Sequence, residues 1–133
     1  MLDKKVQLKK HIKEDPSKKM KILVIGCGSL GSKVIAQLQK NENIRIITSD
    51  IKENPEAVRL GLIKKVNIVE HITVVNIRDI AKRYRPDLVF IARTVDDWGH
   101  DDTQLGSQLM TRMEEELNVL HIPIIPVSDI IDF

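Results

Sequence analysis

Lys21-Ile22-Leu23-Val24-Ile25-Gly26-Cys27-Gly28-Ser29-Leu30-Gly31-Ser32 is the stretch on which the reading of this chain turns. Three of the protein's six glycines fall within six residues here, directly behind an apolar run. Glycine has no Cβ, so it belongs where the backbone turns sharply or must approach another group closely. The run Ile22–Ile25 shows no polar alternation, which predicts a strand buried on both faces of a sheet. Beyond the glycines, Leu30, Val34, Ile35 and Leu38 recur at helical spacing, which predicts a helix over Ser29–Lys40. The stretch therefore reads as strand, glycine turn, helix.

The same alternation continues outward. Ile44–Thr48 is β-branched and strand-like. Asn54-Pro55-Glu56 reads as a helix start, with Asn as N-cap, Pro at the first helical position and an acid in the first turn, and predicts a helix to about Lys65. A third strand is expected at Ile72–Val75. A short helix over Ile77–Tyr84 must stop at Arg85-Pro86. Leu88–Ala92 is a further buried strand. Leu105, Leu109, Met113, Leu117 and Leu120 mark a long amphipathic helix, with Asp101, Asp102 or Thr103 to cap it. Ile122–Val127 closes the pattern, and Pro123 and Pro126, which cannot donate to a ladder, assign that strand to a sheet edge. Five strands separated by helices predict an α/β doubly wound parallel sheet of order 3-2-1-4-5.

Composition bounds the possibilities. A chain of 133 residues, 42% hydrophobic and 30% charged, builds one globular core. No apolar run approaches the roughly 20 residues of a membrane span, and residues 1–19 lack the apolar centre of a secretory signal. The single cysteine forms no internal disulfide and suits a reducing cytoplasm. Net charge is +2, but residues 1–19 hold seven lysines against Asp3, Glu14 and Asp15, a balance of +4, which leaves −2 for residues 20–133. The first segment reads as a basic extension and residues 20–133 as the folded domain. Without aromatic residues among the lysines to stack bases, nucleic-acid binding is not expected.

In this setting the spacing Gly26-x-Gly28-x-x-Gly31 gains chemical meaning, because it follows a strand, opens a helix and lies in a βαβ unit. Gly26 would permit the tight turn, Gly28 the approach of a pyrophosphate, and Gly31 close packing of helix on strand. The N–H groups around Ser29 and Leu30 would face the phosphates at the helix N-terminus. Asp50 follows the second strand, where a carboxylate would hydrogen-bond ribose hydroxyls and repel a 2′-phosphate, favouring NAD over NADP. Lys52 stands close enough in sequence to soften that repulsion.

The segments KILVIGCGSLGSKVIAQL, IRIITSD, RPDLVFIA and IPIIPVS resemble the Rossmann-fold NAD(P)-binding superfamily over residues 20 to about 128. The opening looks most like the coenzyme domains of homoserine dehydrogenases and pyrroline-5-carboxylate reductases. The resemblance implies a dinucleotide site formed by Gly26, Cys27, Gly28, Ser29, Leu30, Gly31, Asp50, Ala92, Arg93 and Thr94. It implies a dehydrogenase-type oxidoreductase or its coenzyme-binding subunit; the alternative is a non-catalytic module that senses a nucleotide for a partner protein. A homodimer or a partner chain is expected to complete the site, and the apolar Ile130-Ile131-Asp132-Phe133 tail supports that expectation.

Two features invite other roles. Cys27 at a helix N-terminus could be a redox thiol, although a small side chain filling a small slot accounts for it more simply. The run Arg93–Asp102 holds four aspartates with Trp98 and His100, a set suited to metal binding or acid–base work. Helix capping and solvated acids explain it more simply. No metal site is expected, and His11, His71 and His121 show no partner pattern.

Overall fold

The computed structural model describes residues 19–93 and 103–127. The elements are β1 (Met20–Ile25), α1 (Ser29–Leu38), β2 (Ile44–Asp50), α2 (Glu56–Arg59), β3 (Ile68–Val69), α3 (Ile77–Tyr84), β4 (Leu88–Ile91), α4 (Thr103–Asn118) and β5 (Ile124–Pro126). All strand pairs are parallel, in the order β3-β2-β1-β4-β5. The expected doubly wound sheet is thus observed, with β5 at an edge, Pro126 within it and Pro123 just before it.

Helices cover both faces of the sheet, so every β1 side chain past Lys21 is buried. Leu23 and Ile25 join Ile47, Ile77, Ile80, Met113 and Leu117 in one core layer, against α3 and α4. Ile22 and Val24 join Leu30, Val34, Ile35, Ala57 and Phe90 in the other, against α1 and α2. The period-2 alternation of a strand sends successive residues to opposite layers. A strand buried on both sides must be apolar at every position, and Ile22–Ile25 is.

Register fixes where the loops emerge. Ile25 lies opposite Ser49 on β2 and opposite Ile91 on β4. Gly26, Asp50 and Ala92 therefore leave the carboxyl edge at one level. Strand order reverses between β1 and β4, and in open α/β sheets the crevice at that reversal is where ligands sit.

Three local expectations are corrected. The third strand is Ile68–Val69, not Ile72–Val75. Thr73 N donates to Asn76 Oδ1 at 2.7 Å and Val75 N to Thr73 Oγ1 at 3.2 Å, so side chains capture the backbone in a turn and leave Val75 90% exposed. The second helix stops at Arg59 rather than near Lys65, because Gly61 adopts φ +76 and breaks it. Its N-cap is Pro55 rather than Asn54, with no side-chain cap bond. The candidate caps Asp101 and Asp102 lie outside the described residues.

Candidate functional site

The three glycines of the loop carry three different constraints. Gly26 has φ +99, and a Cβ there would stand 2.6 Å from the carbonyl oxygen of Ala92. A Cβ on Gly31 would overlap the carbonyl oxygen of Gly26, so helix α1 touches the turn it springs from. Both positions are closed by the protein's own backbone. At Gly28 nothing lies within 4 Å of where a Cβ would be, although its backbone, at φ −78 and ψ −149, lies outside the α and β regions. No neighbouring atom of the described residues closes that position to a side chain. The space over it is open.

Gly28 is also the N-cap of α1, with no side-chain cap and no acid in the first turn. Ser32 N donates to Gly28 O at 2.8 Å and begins the helical ladder. Among the described residues the N–H groups of Ser29, Leu30 and Gly31 find no acceptor, as expected for the first turn of a helix. They gather partial positive charge at the open space.

Asp50 shapes the loop from the side. Its Oδ2 accepts from Cys27 N at 2.7 Å, and its Oδ1 accepts from Lys52 N at 2.9 Å. One carboxylate thereby joins the glycine turn to the end of β2. Each oxygen retains lone-pair capacity toward the cleft. Ala57 N adds a bond to Cys27 O at 3.0 Å, drawing α2 against the loop.

Gly26, Gly28, Asp50, Ala92 and Arg93 line one cleft of about 130 Å³. Ile51, Lys52, Pro55, Glu56 and Arg59 complete it. The side chains of Cys27 and Leu30 instead face the core, Ser29 is exposed at the first position of α1, and Thr94 lies outside the described residues. So do Trp98, His100 and the other acids of their run. Sequence reading missed Pro55, Glu56 and Arg59 as cleft residues, since long-range ties such as the Ala57–Cys27 bond and the packing of Ala57 against α1 bring them there.

Cys27 is an inert thiol in this setting. Burial, then the charge of Asp50, push its pKa up to about 12, and Sγ donates to Ser49 O at 3.4 Å. It fills a slot between α1 and the sheet. Arg93 is buried, and its Nη1 donates to Ile72 O at 2.6 Å. It fastens the β3–α3 loop beside the cleft, and its charge, after partial burial, lowers the pKa of His71 on that loop.

A strand–glycine–helix unit at the switch point of a five-stranded parallel sheet defines a Rossmann-like α/β protein. Comparisons with known proteins agree at the level of fold. The chain aligns with saccharopine dehydrogenase (L-Glu forming) from Saccharomyces cerevisiae at TM-score 0.57 and 14% identity, over 84% of this chain and 22% of that one. It aligns with the UDP-glucuronic acid 4-epimerase of Bacillus cereus, solved in complex with NAD, at TM-score 0.56 and 22% identity, over 82% of this chain and 40% of that one. In sequence it is 31% identical over 96 residues to phosphoribosylamine–glycine ligase of Methanocaldococcus jannaschii, covering 72% of this chain and 19% of that protein. The chain thus spans about a fifth of that relative's length. No family model matches it.

Proposed function

We propose that this chain is a NAD(H)-binding module of dehydrogenase type, either a small oxidoreductase or the coenzyme-binding subunit of one. The observation that carries the reading is the open space over Gly28 beside the unpartnered N–H groups of α1. A pyrophosphate there would meet amide donors and the positive end of a helix dipole. Asp50 would hold the adenosine ribose, and Ala92 with Arg93 would stand on the nicotinamide side, where the bound cofactor would supply hydride transfer. Complete small-molecule pockets span roughly 300–1,000 Å³. The described cleft, at about 130 Å³, suits one nucleoside-phosphate end of such a ligand. The NAD-bound epimerase neighbour supports this choice of cofactor.

Calorimetric titration with NADH and NADPH tests the reading. NADH should bind the more tightly, because the Asp50 carboxylate repels a 2′-phosphate. Asp50→Ala should cost NADH about tenfold in affinity, the equivalent of one charge-assisted hydrogen bond. A wild-type preference for NADPH would overturn the assignment of Asp50.

The ligase relative favours a second reading, in which the same loop holds a ribose phosphate with no nicotinamide attached. Ribose 5-phosphate binding with no response to NADH would select it. The proposal also includes a homodimer or partner chain that completes the substrate site. The exposed Val119 and Ile125, near the β5 edge, support it. Sedimentation at micromolar concentration should give a mass above that of the monomer.

A further inference from the structure

The opposite end of the sheet carries a second feature, unrelated to the cleft. β3 pairs with β2 only at Ser49 and Asp50. At Thr48 the ladder partner is a side chain: Thr48 N donates to Asn67 Oδ1 at 2.8 Å. Before that point, among the described residues, no strand covers the outer edge of β2. Met20 N donates to Asn43 O and Gly26 N to Ser49 O, so the odd-numbered carbonyls of β2 face β1. Alternation along the strand turns the N–H and C=O of Ile46 outward, and no described residue pairs with them.

Grooves flank this open edge on both faces of the sheet. One, of about 360 Å³, is lined by Ile46, Asn67, Lys64 and Lys65 among others. The other, of about 330 Å³, is lined by Ile46, Asn67, Lys21, Arg45, Arg83 and Tyr84 among others. Lys21 and Arg45 are register partners on β1 and β2, so their side chains share one face. The two linings contain five cations and no carboxylate. Residues 1–19 add seven lysines to the chain's positive charge.

We infer that the outer edge of β2 at Ile46 is a docking site for an acidic extended segment of a partner protein, which adds to the sheet as a short strand. The backbone of Ile46 supplies the strand's hydrogen bonds, as in other cases of strand addition to a sheet edge. Side chains of an added strand alternate between faces, so each groove receives every second residue. Cations line both grooves, which selects carboxylates on both faces of the incoming strand. An unprotected edge of this kind is otherwise an aggregation liability, and the lysines and arginines around it hold off a second copy of the same chain.

The test uses the full chain and a dye-labelled peptide of Glu-Glu-Thr-Thr repeats, which projects carboxylates from both faces. Fluorescence anisotropy should show binding that weakens as salt rises past the Debye regime of about 0.1 M. Peptide should slow hydrogen exchange at the Ile46 amide. Arg45→Glu combined with Lys65→Glu exchanges two exposed attractions for repulsions, and should cost roughly tenfold in peptide affinity, with an unchanged melting temperature confirming the fold. No peptide binding, unchanged affinity in the charge-reversed variant, or unaltered exchange at Ile46 would each overturn the inference. So would tighter binding of single-stranded oligo(dT), which would assign the grooves to nucleic-acid phosphates. None of these residues touches the nucleotide cleft, so a failed NADH titration leaves this test intact.

Discussion

Gly26, Gly28 and Gly31 are one residue type under three different physical demands, and substitutions separate them. Gly31→Ala places a methyl group against the Gly26 carbonyl, and overpacking against backbone that cannot yield should cost about 3 kcal/mol or more. Gly28→Val meets open space, with only the backbone conformation of φ −78 and ψ −149 to resist it, so chemical denaturation should find a smaller loss of stability than in Gly31→Ala. The same variant should lose NADH binding, since the branched side chain fills the place of the pyrophosphate. Wild-type NADH affinity in Gly28→Val would reduce the loop to a turn. Cys27 makes a prediction of its own through pH. Its thiol titrates near 9.0 when unfolded and near 12 when folded. Between those values the unfolded chain has released a proton that the native chain keeps, so stability falls as pH rises, by at most about 1.4 kcal/mol per pH unit. Well below pH 9 both states keep the proton and the effect vanishes. Cys27→Ala should flatten this alkaline slope in urea melts from pH 9 to 11, and native Cys27 should resist thiol reagents at neutral pH.

Between elements, magnitudes rank the ties. Arg78 Nε meets Glu116 Oε2 at 2.7 Å and links α3 to α4, but both side chains are substantially exposed. Such pairs contribute less than about 1 kcal/mol. The Asn67–Thr48 pair is different in kind. Asn67 Oδ1 accepts from both the N–H and the hydroxyl of buried Thr48, and Thr48 Oγ1 accepts from Asn67 N at 3.1 Å. Removing the Asn67 carbonyl strands a buried donor, at about 1–3 kcal/mol. Asn67→Ala should therefore destabilise the protein more than Arg78→Ala does, a ranking that denaturant midpoints will check. The very short β3 follows from the same pair, because a side chain takes the place of a strand at that point of the edge.

For the molecule as a whole, ligand binding and stability are one equilibrium. A ligand that binds only the folded chain adds about 2.7 kcal/mol at a hundred times its Kd, on the order of 10 °C in Tm for a domain of this size. Thermal melts with NADH, NADPH and ribose 5-phosphate should therefore rank the three as calorimetry does. Among the described residues no helix is long and apolar enough to cross a membrane. The cleft and the basic grooves lie toward opposite ends of the strands, the cleft at the carboxyl end and the grooves at the amino end.

What could be read from the sequence was whatever local pattern and burial on both faces dictate. Ile22–Ile25 and Leu88–Ala92 are apolar without alternation because helices cover both sides of each strand, Ile44–Thr48 is β-branched at every position but Arg45, and Pro123 and Pro126 mark an edge wherever that edge lies. These properties belong to short windows, so strand order and the glycine turn were legible. Ile68–Val69 was not: a two-residue strand has no period, and the apolar Ile72–Val75 looked more strand-like until Thr73 and Asn76 turned it. Of the candidate site, Gly26, Gly28, Asp50, Ala92 and Arg93 were legible and the tertiary structure brings them to one cleft. That Gly28, alone of the three loop glycines, faces open space, that Asp50 grips the loop, that Cys27 turns inward, and that α2 and its N-cap supply Pro55, Glu56 and Arg59 were decided only in three dimensions. Each depends on which backbone atoms meet across 20 or more residues of chain, and no local pattern encodes such a meeting.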